Sequence, residues 1–207
     1  MLVSDFRWTQ FGNTILAGPS FSGKTSLIDK IIRNKSCLIK EGGQMAVILY
    51  YLSDQKIYND WERDGVLSYK AQGVPDKDSF LETLSIYGGI SGTIVIFDDL
   101  GPEIKANLKF FREVFLVMSH HYKLSTFLLL HNIFLEGLRE ISLNTHRFIV
   151  THNPRDSLAI SNLSRQSFRG SKNFLPAVYE FIGGRQYGYL VLDFHKETNP
   201  ALRGIIK

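Results

Sequence analysis

The segment Gly18-Pro19-Ser20-Phe21-Ser22-Gly23-Lys24-Thr25 constrains this chain more than any other. It has the form G-x-x-x-x-G-K-[ST], whose glycines let the backbone turn so that successive amides point inward at a phosphate. The pattern carries weight only between a strand and a helix. Asn13-Thr14-Ile15-Leu16-Ala17 reads as a short buried strand, and over residues 23–34 Leu27, Ile28, Ile31 and Ile32 recur at helical spacing. A glycine-rich turn alone would explain neither the Lys24-Thr25 pair nor the register. The loop from Gly18 through Pro19, Ser20, Phe21, Ser22 and Gly23 to Thr25 and Ser26 is therefore expected to cradle the phosphates of a nucleotide at a helix amino end. Lys24 is expected to reach the β and γ phosphates, with the Thr25 hydroxyl on magnesium, which makes ATP and Mg2+ the expected cofactors.

The remaining apolar runs supply a sheet to carry the loop. Residues 44–51 are continuously apolar rather than alternating, as in a strand covered on both faces. Residues 93–97 form the clearest central strand, 103–118 a helix, 126–130 a fourth strand and 147–150 a fifth. The stretch 52–92 is more polar, carries several glycines and one proline, and yields one short helix over 78–87. Beyond Val150, residues 155–168 and 173–181 read as helices and 187–194 as a late strand at a sheet edge. Strands alternating with helices predict an α/β fold with a mainly parallel central sheet and helices on both faces. The expected fold is a P-loop NTPase of the additional-strand type, and if the fourth strand lies between the loop strand and the 93–97 strand, Asn132 comes within reach of the attacking water or the γ phosphate. A length of 207 residues suits one domain over 1–207, with 171–207 as a C-terminal extension.

Composition narrows the classes further. An apolar content of 44% is enough for a core and excludes a disordered chain. Cys37 is the single cysteine, so no intramolecular disulfide forms, and no cysteine–histidine spacing of zinc-finger type accompanies it. Residues 1–8 lack a basic region followed by an apolar stretch, and no apolar run reaches the roughly 20 residues of a membrane helix. A location inside the cell and no membrane span are expected. A formal charge of +4, from 24 basic and 20 acidic side chains, suits contact with nucleic acid and an ordinary surface equally.

A lysine and a threonine bind nucleotide without hydrolysing it. The carboxylates that hydrolysis needs stand as Asp98 and Asp99, directly after the most apolar strand. Asp98 is expected to work with Thr25 at the metal, and Asp99 to orient and deprotonate the attacking water. The alternative is that the pair only terminates a strand or caps the next helix. His131 and Asn132 end the fourth strand. Asn132 is a candidate γ-phosphate sensor, against the alternative of a cap before a helix at 134–136, and His131 has an equal claim to a structural role.

Taken together these residues resemble the genome-packaging ATPases of large and intermediate double-stranded DNA viruses, the poxvirus-type, adenovirus-like, virophage-like and Polinton-like group. The resemblance spans roughly residues 14–170. Besides Gly18 to Thr25 and Ile96-Phe97-Asp98-Asp99, it rests on His121, His131-Asn132-Ile133-Phe134, Arg139-Glu140-Ile141-Ser142-Leu143-Asn144, Asn153-Pro154-Arg155-Asp156 and Leu163-Ser164-Arg165-Gln166. The group belongs to the ring-forming DNA translocases of FtsK-HerA type. It implies a homo-oligomeric ring driving double-stranded DNA into a preformed viral capsid through a portal vertex, in the infected cell or the virion. Asn132 matches the polar sensor position, whereas the residue before it is commonly glutamine and here is His131.

In such a ring, an arginine reaching a neighbour's γ phosphate makes hydrolysis depend on assembly. The resemblance favours Arg139, then Arg155, which Asp156 is alternatively expected to hold, then Arg165; surface or intramolecular ion pairs are the alternative for each. Lys105, Lys109 and Arg112, and later Arg165, Arg169 and Lys172, are basic groups that suit either a DNA phosphate backbone or a solvated helix face. Phe110, Phe111 and Phe115 are expected in the core rather than as stacking platforms. Three other functions remain open on the residues: a nucleoside or small-molecule kinase, a non-packaging translocase or helicase, and a nucleotide-gated interaction module without turnover.

Overall fold

The computed structural model describes residues 8, 11–40, 42–133, 137–168, 172–198 and 204–206. Its strands are β1 (Thr14–Ala17), β2 (Ala46–Tyr51), β3 (Tyr69–Gln72), β4 (Thr93–Asp98), β5 (Leu124–Leu130), β6 (Arg147–Thr151), β7 (Tyr189–Asp193) and β8 (Gly204–Ile206). They hydrogen-bond into one sheet in the order β3-β2-β4-β5-β1-β6-β7-β8. From β3 through β6 every neighbour is parallel, and β7 and β8 are antiparallel additions. Strand β5 stands between β1 and β4, the order the additional-strand expectation requires. Register brings Ala17 level with Leu130 and Val150, so the loops leaving β1, β5 and β6 meet at one edge.

The helices are α1 (Lys24–Arg33), α2 (Lys35–Leu38), α3 (Lys56–Arg63), α4 (Lys77–Tyr87), α5 (Gly101–Ala106), α6 (Leu108–Glu113), α7 (Ser119–His121), α8 (Arg139–Leu143), α9 (Ser157–Ser167) and α10 (Phe174–Gly183). They cover both faces because each central strand is apolar on both. Ile15, Val95 and Phe97 point into a core shared with α4 to α6 and α8 to α10, while Leu16, Ile94 and Ile96 point into a second core with α1 and α3. Phe111 and Phe115 are wholly buried in the first of these cores and Phe110 packs against it, as expected.

Four expectations need correction. The stretch 52–92 holds α3 and the edge strand β3, whose partly exposed YKAQ sequence lacks the apolar run of a central strand. The helix over 103–118 is broken at Asn107, whose side chain donates to Glu103 O at 2.9 Å in place of a straight continuation, and it ends in a π turn, Val114–Met118. Residues 155–168 begin as a 3-10 turn, Pro154–Asp156, before α9, because Asn153 caps Arg155 N. Finally, β7 is not an edge: β8 pairs along its outer side, Val191 opposite Ile205. The expected helix at 134–136 and the basic residue Arg169 lie outside the described residues.

Candidate nucleotide site

The phosphate loop leaves β1 at Gly18, where any Cβ would overlap Thr151 Oγ1 of the neighbouring β6. It re-enters at Gly23, left-handed at φ 89° and the residue before α1, so both glycines are required by backbone geometry and close approach. Between them Phe21 takes φ 63° and holds its ring out in solvent, 99% exposed. Lys24 is folded over the loop, its Nζ donating to Gly18 O at 2.7 Å and Pro19 O at 2.9 Å. Burial pulls its pKa below the usual lysine value, and the charges of Asp98 and Asp99 oppose that pull. Ser22 Oγ is buried with no partner, an orphan hydroxyl in a cradle suited to a phosphate oxygen.

Asp98 ends β4 and is 4% exposed. Its Oδ2 accepts the Tyr58 hydroxyl at 2.6 Å and faces Thr25 Oγ1 at 3.5 Å. Burial raises its pKa, and the Tyr58 hydrogen bond works against the rise. Tyr58 is itself pushed well above the ordinary tyrosine value by burial and by the Asp98 charge, so it stays a donor. A threonine hydroxyl and a carboxylate on one cavity wall are hard oxygen donors of the kind Mg2+ takes, with water and phosphate filling its other positions. The residues fit that ion.

Asp99 turns off the end of β4 at φ 58°, which parts its side chain from that of Asp98. Its Oδ1 lies 2.7 Å from His131 Nε2, the first residue after β5. Both carboxylates, Lys24, Thr25 and His131 line one cavity of about 710 Å³ over the carboxyl edge of the sheet, where open α/β sheets bind ligands. Ser20, Phe21, Ser22, Gly23 and Ser26 also line it. Asn132 does not: with Pro19, Ser20 and Arg155 it lines an adjoining cavity of about 600 Å³, to which His131 is common.

The arginines are spread out. Arg155 is exposed beside the loop, and Asp156 takes Asn153 Nδ2 at 3.2 Å rather than the Arg155 guanidinium. Arg139, the first residue of α8, is exposed and lines neither cavity, and Arg165 is exposed on α9. Arg112 pairs with Glu140 at 2.9 Å, which answers part of the first basic group by an intramolecular contact. Two aromatic residues had no functional reading in the sequence. Tyr58 lies in the stretch whose fold was least readable, although its i,i+3 spacing to Trp61 marks a buried helix face, and Tyr187 closes on Gly23 with no local signal at all.

No protein-family model and no curated protein matches the chain. Solved structures do. The genome packaging NTPase B204 of Sulfolobus turreted icosahedral virus 2 in complex with ATP-gammaS is similar at TM-score 0.58 and 17% identity, over 94% of this chain and 96% of that one. The same protein in complex with AMPPCP gives TM-score 0.60 at 16% identity, over 95% and 97%. B204, the DNA-packaging ATPase from Sulfolobus turreted icosahedral virus, gives 0.57 at 15%, over 94% and 96%. The chain has the α/β fold of a P-loop NTPase, similar over nearly its whole length to viral genome-packaging NTPases.

Proposed function

We propose that this chain is an ATPase that drives double-stranded viral DNA into a preformed capsid, working as one subunit of a homo-oligomeric ring at the portal vertex. The observation that carries the reading is the meeting of Lys24, Thr25, Asp98 and Asp99 in one cavity, on a sheet with β5 between the loop strand and the acidic strand. A second support is the likeness in fold to packaging NTPases solved with ATP analogues. Gly18 to Ser26 hold the phosphates, and Lys24 leaves its loop carbonyls for them. Thr25 and Asp98 would hold Mg2+, which would neutralise phosphate charge when bound. Asp99, half-buried on the cavity wall, takes the proton of the attacking water. Asn132 and His131 report the γ phosphate to the adjoining cavity, and an arginine, Arg139 or Arg155, reaches the site of a neighbouring subunit. The work is done in the host cell where virions assemble, or in the virion.

The test is phosphate release by the wild type and Asp99→Asn, with and without duplex DNA, over a protein concentration series that also reports assembly. Turnover that rises with concentration and duplex, and falls at least about 100-fold in Asp99→Asn, is expected. Assembled protein whose turnover ignores duplex, or is unchanged in Asp99→Asn, overturns the reading.

A further inference from the structure

The amino ends of β1, β5 and β6 open on a second cavity, of about 660 Å³, at the end of the sheet opposite the phosphate loop. One strand length, about 15 Å at roughly 3.3 Å per residue, separates the two. Five basic side chains from four parts of the chain converge there: Lys40 beyond α2, His120 on α7, His146 before β6, and His195 and Lys196 beyond β7, with Glu197 as the one lining carboxylate among the described residues. The rings form a chain, His120 to His146 at 6.2 Å between centroids and His146 to His195 at 5.1 Å. Behind them the buried Arg147 is paired with Asp193 at 3.2 Å.

Hydrogen bonding fixes what these rings offer. His146 Nδ1 accepts the amide of Asn13 at 3.0 Å, and His195 Nδ1 accepts the amide of Glu197 at 3.3 Å. Each neutral ring therefore carries its proton on Nε2 and is a donor there. A metal needs a bare ring nitrogen, which neither supplies. The cavity is instead rich in donors and positive charge. His146 is held down at about 4 by burial and by His195, Arg147 and His120, and burial and Arg147 also lower His195. A negative charge placed among them meets ring N–H donors and the charges of Lys40 and Lys196.

We infer that this cavity binds a phosphate-type oxyanion, with His146 and His195 donating through Nε2 and Lys40 and Lys196 supplying charge. A free phosphate ion and a phosphodiester of a nucleic-acid backbone share that chemistry. Because the Asn13 and Glu197 amides hold both Nδ1 atoms as acceptors, His146 and His195 bind the anion as neutral rings through Nε2–H, and binding persists from pH 8 to 6.

The imidazole Cε1–H resonances of the full chain test this directly, with sulfate as a probe whose charge is constant over that pH range and chloride holding ionic strength fixed. His131 reports the phosphate loop separately. Saturable movement of His146 and His195 is expected, with similar half-saturation at pH 6 and pH 8. In the double variant Lys40→Ala, Lys196→Ala, both exposed side chains, half-saturation rises at least tenfold while the His131 response persists. A 20-base-pair duplex is titrated in parallel. Saturation by sulfate alone identifies a free ion as the ligand, and saturation by the duplex identifies a backbone phosphate. Absence of saturation with both probes, or an unchanged titration in the double variant, overturns the inference, and neither result bears on turnover at the phosphate loop.

Discussion

Asp98 is a carboxylate with almost no water and two hydroxyls aimed at it. Burial pushes its pKa up, and the Tyr58 donor works the other way by favouring the charged form. Tyr58→Phe removes that donor from a buried acceptor, so a loss of about 1–3 kcal/mol in denaturant stability is expected, with a higher Mg2+ requirement for nucleotide binding. Restored binding at raised Mg2+ would separate an effect on Asp98 from simple unfolding. His146 makes the second residue-scale prediction. Its folded value of about 4 lies below the ordinary histidine value of 6.5, so the unfolded chain takes up the proton first. Stability from this group is whole above about pH 6.5 and declines as pH falls toward 4, and His146→Gln should flatten that limb in urea midpoints measured at each pH.

At the scale of elements, α3 is the piece that puts Tyr58 against Asp98. Trp61, buried on the same face, donates through Nε1 to Asp29 of α1 at 2.6 Å, and Arg33 of α1 reaches Asp64 at 2.8 Å. The helix that begins at the phosphate loop is thus tied to the helix that steadies Asp98. Trp61→Ala deletes a fully buried ring and is expected to cost about 3–5 kcal/mol by denaturant unfolding, with Mg2+ dependence disturbed in the folded remainder. Helix α1 was readable because its apolar residues fall on one stripe next to a recognisable loop. Strand β3 was not, because at a sheet edge only part of its surface is covered.

For the whole molecule, the antiparallel pair β7 and β8 extends a parallel sheet past its natural boundary at β6. The join is electrostatic as well as hydrogen-bonded: Arg147 on β6 and Asp193 on β7 form an ion pair with side chains only 2% and 3% exposed. Asp193→Ala strips a buried guanidinium of its carboxylate, and a loss of about 3–5 kcal/mol in thermal or denaturant stability is expected. The proposed cooperation between subunits belongs to this scale too. If Arg155 or Arg139 acts across an interface, mixing Arg→Ala subunits with Asp99→Asn subunits should recover more turnover than either alone, and a mixture no more active than its parts would keep each arginine within its own subunit.

The phosphate loop, the central strands and both faces of helices were legible in the sequence because each rests on neighbours along the chain. A phosphate is gripped by consecutive amides, and a strand buried on both sides must be apolar throughout. Lys24, Thr25, Asp98 and Asp99 could be named for the same reason, since each adjoins a readable strand or loop. Only the tertiary structure decided that β5 separates β1 from β4, that Tyr58 meets Asp98 from 40 residues away, that His131 and not Asn132 faces the carboxylates, and that three histidines share a cavity at the amino ends of the strands. These depend on strand order and on the side a residue faces, and no local propensity encodes either.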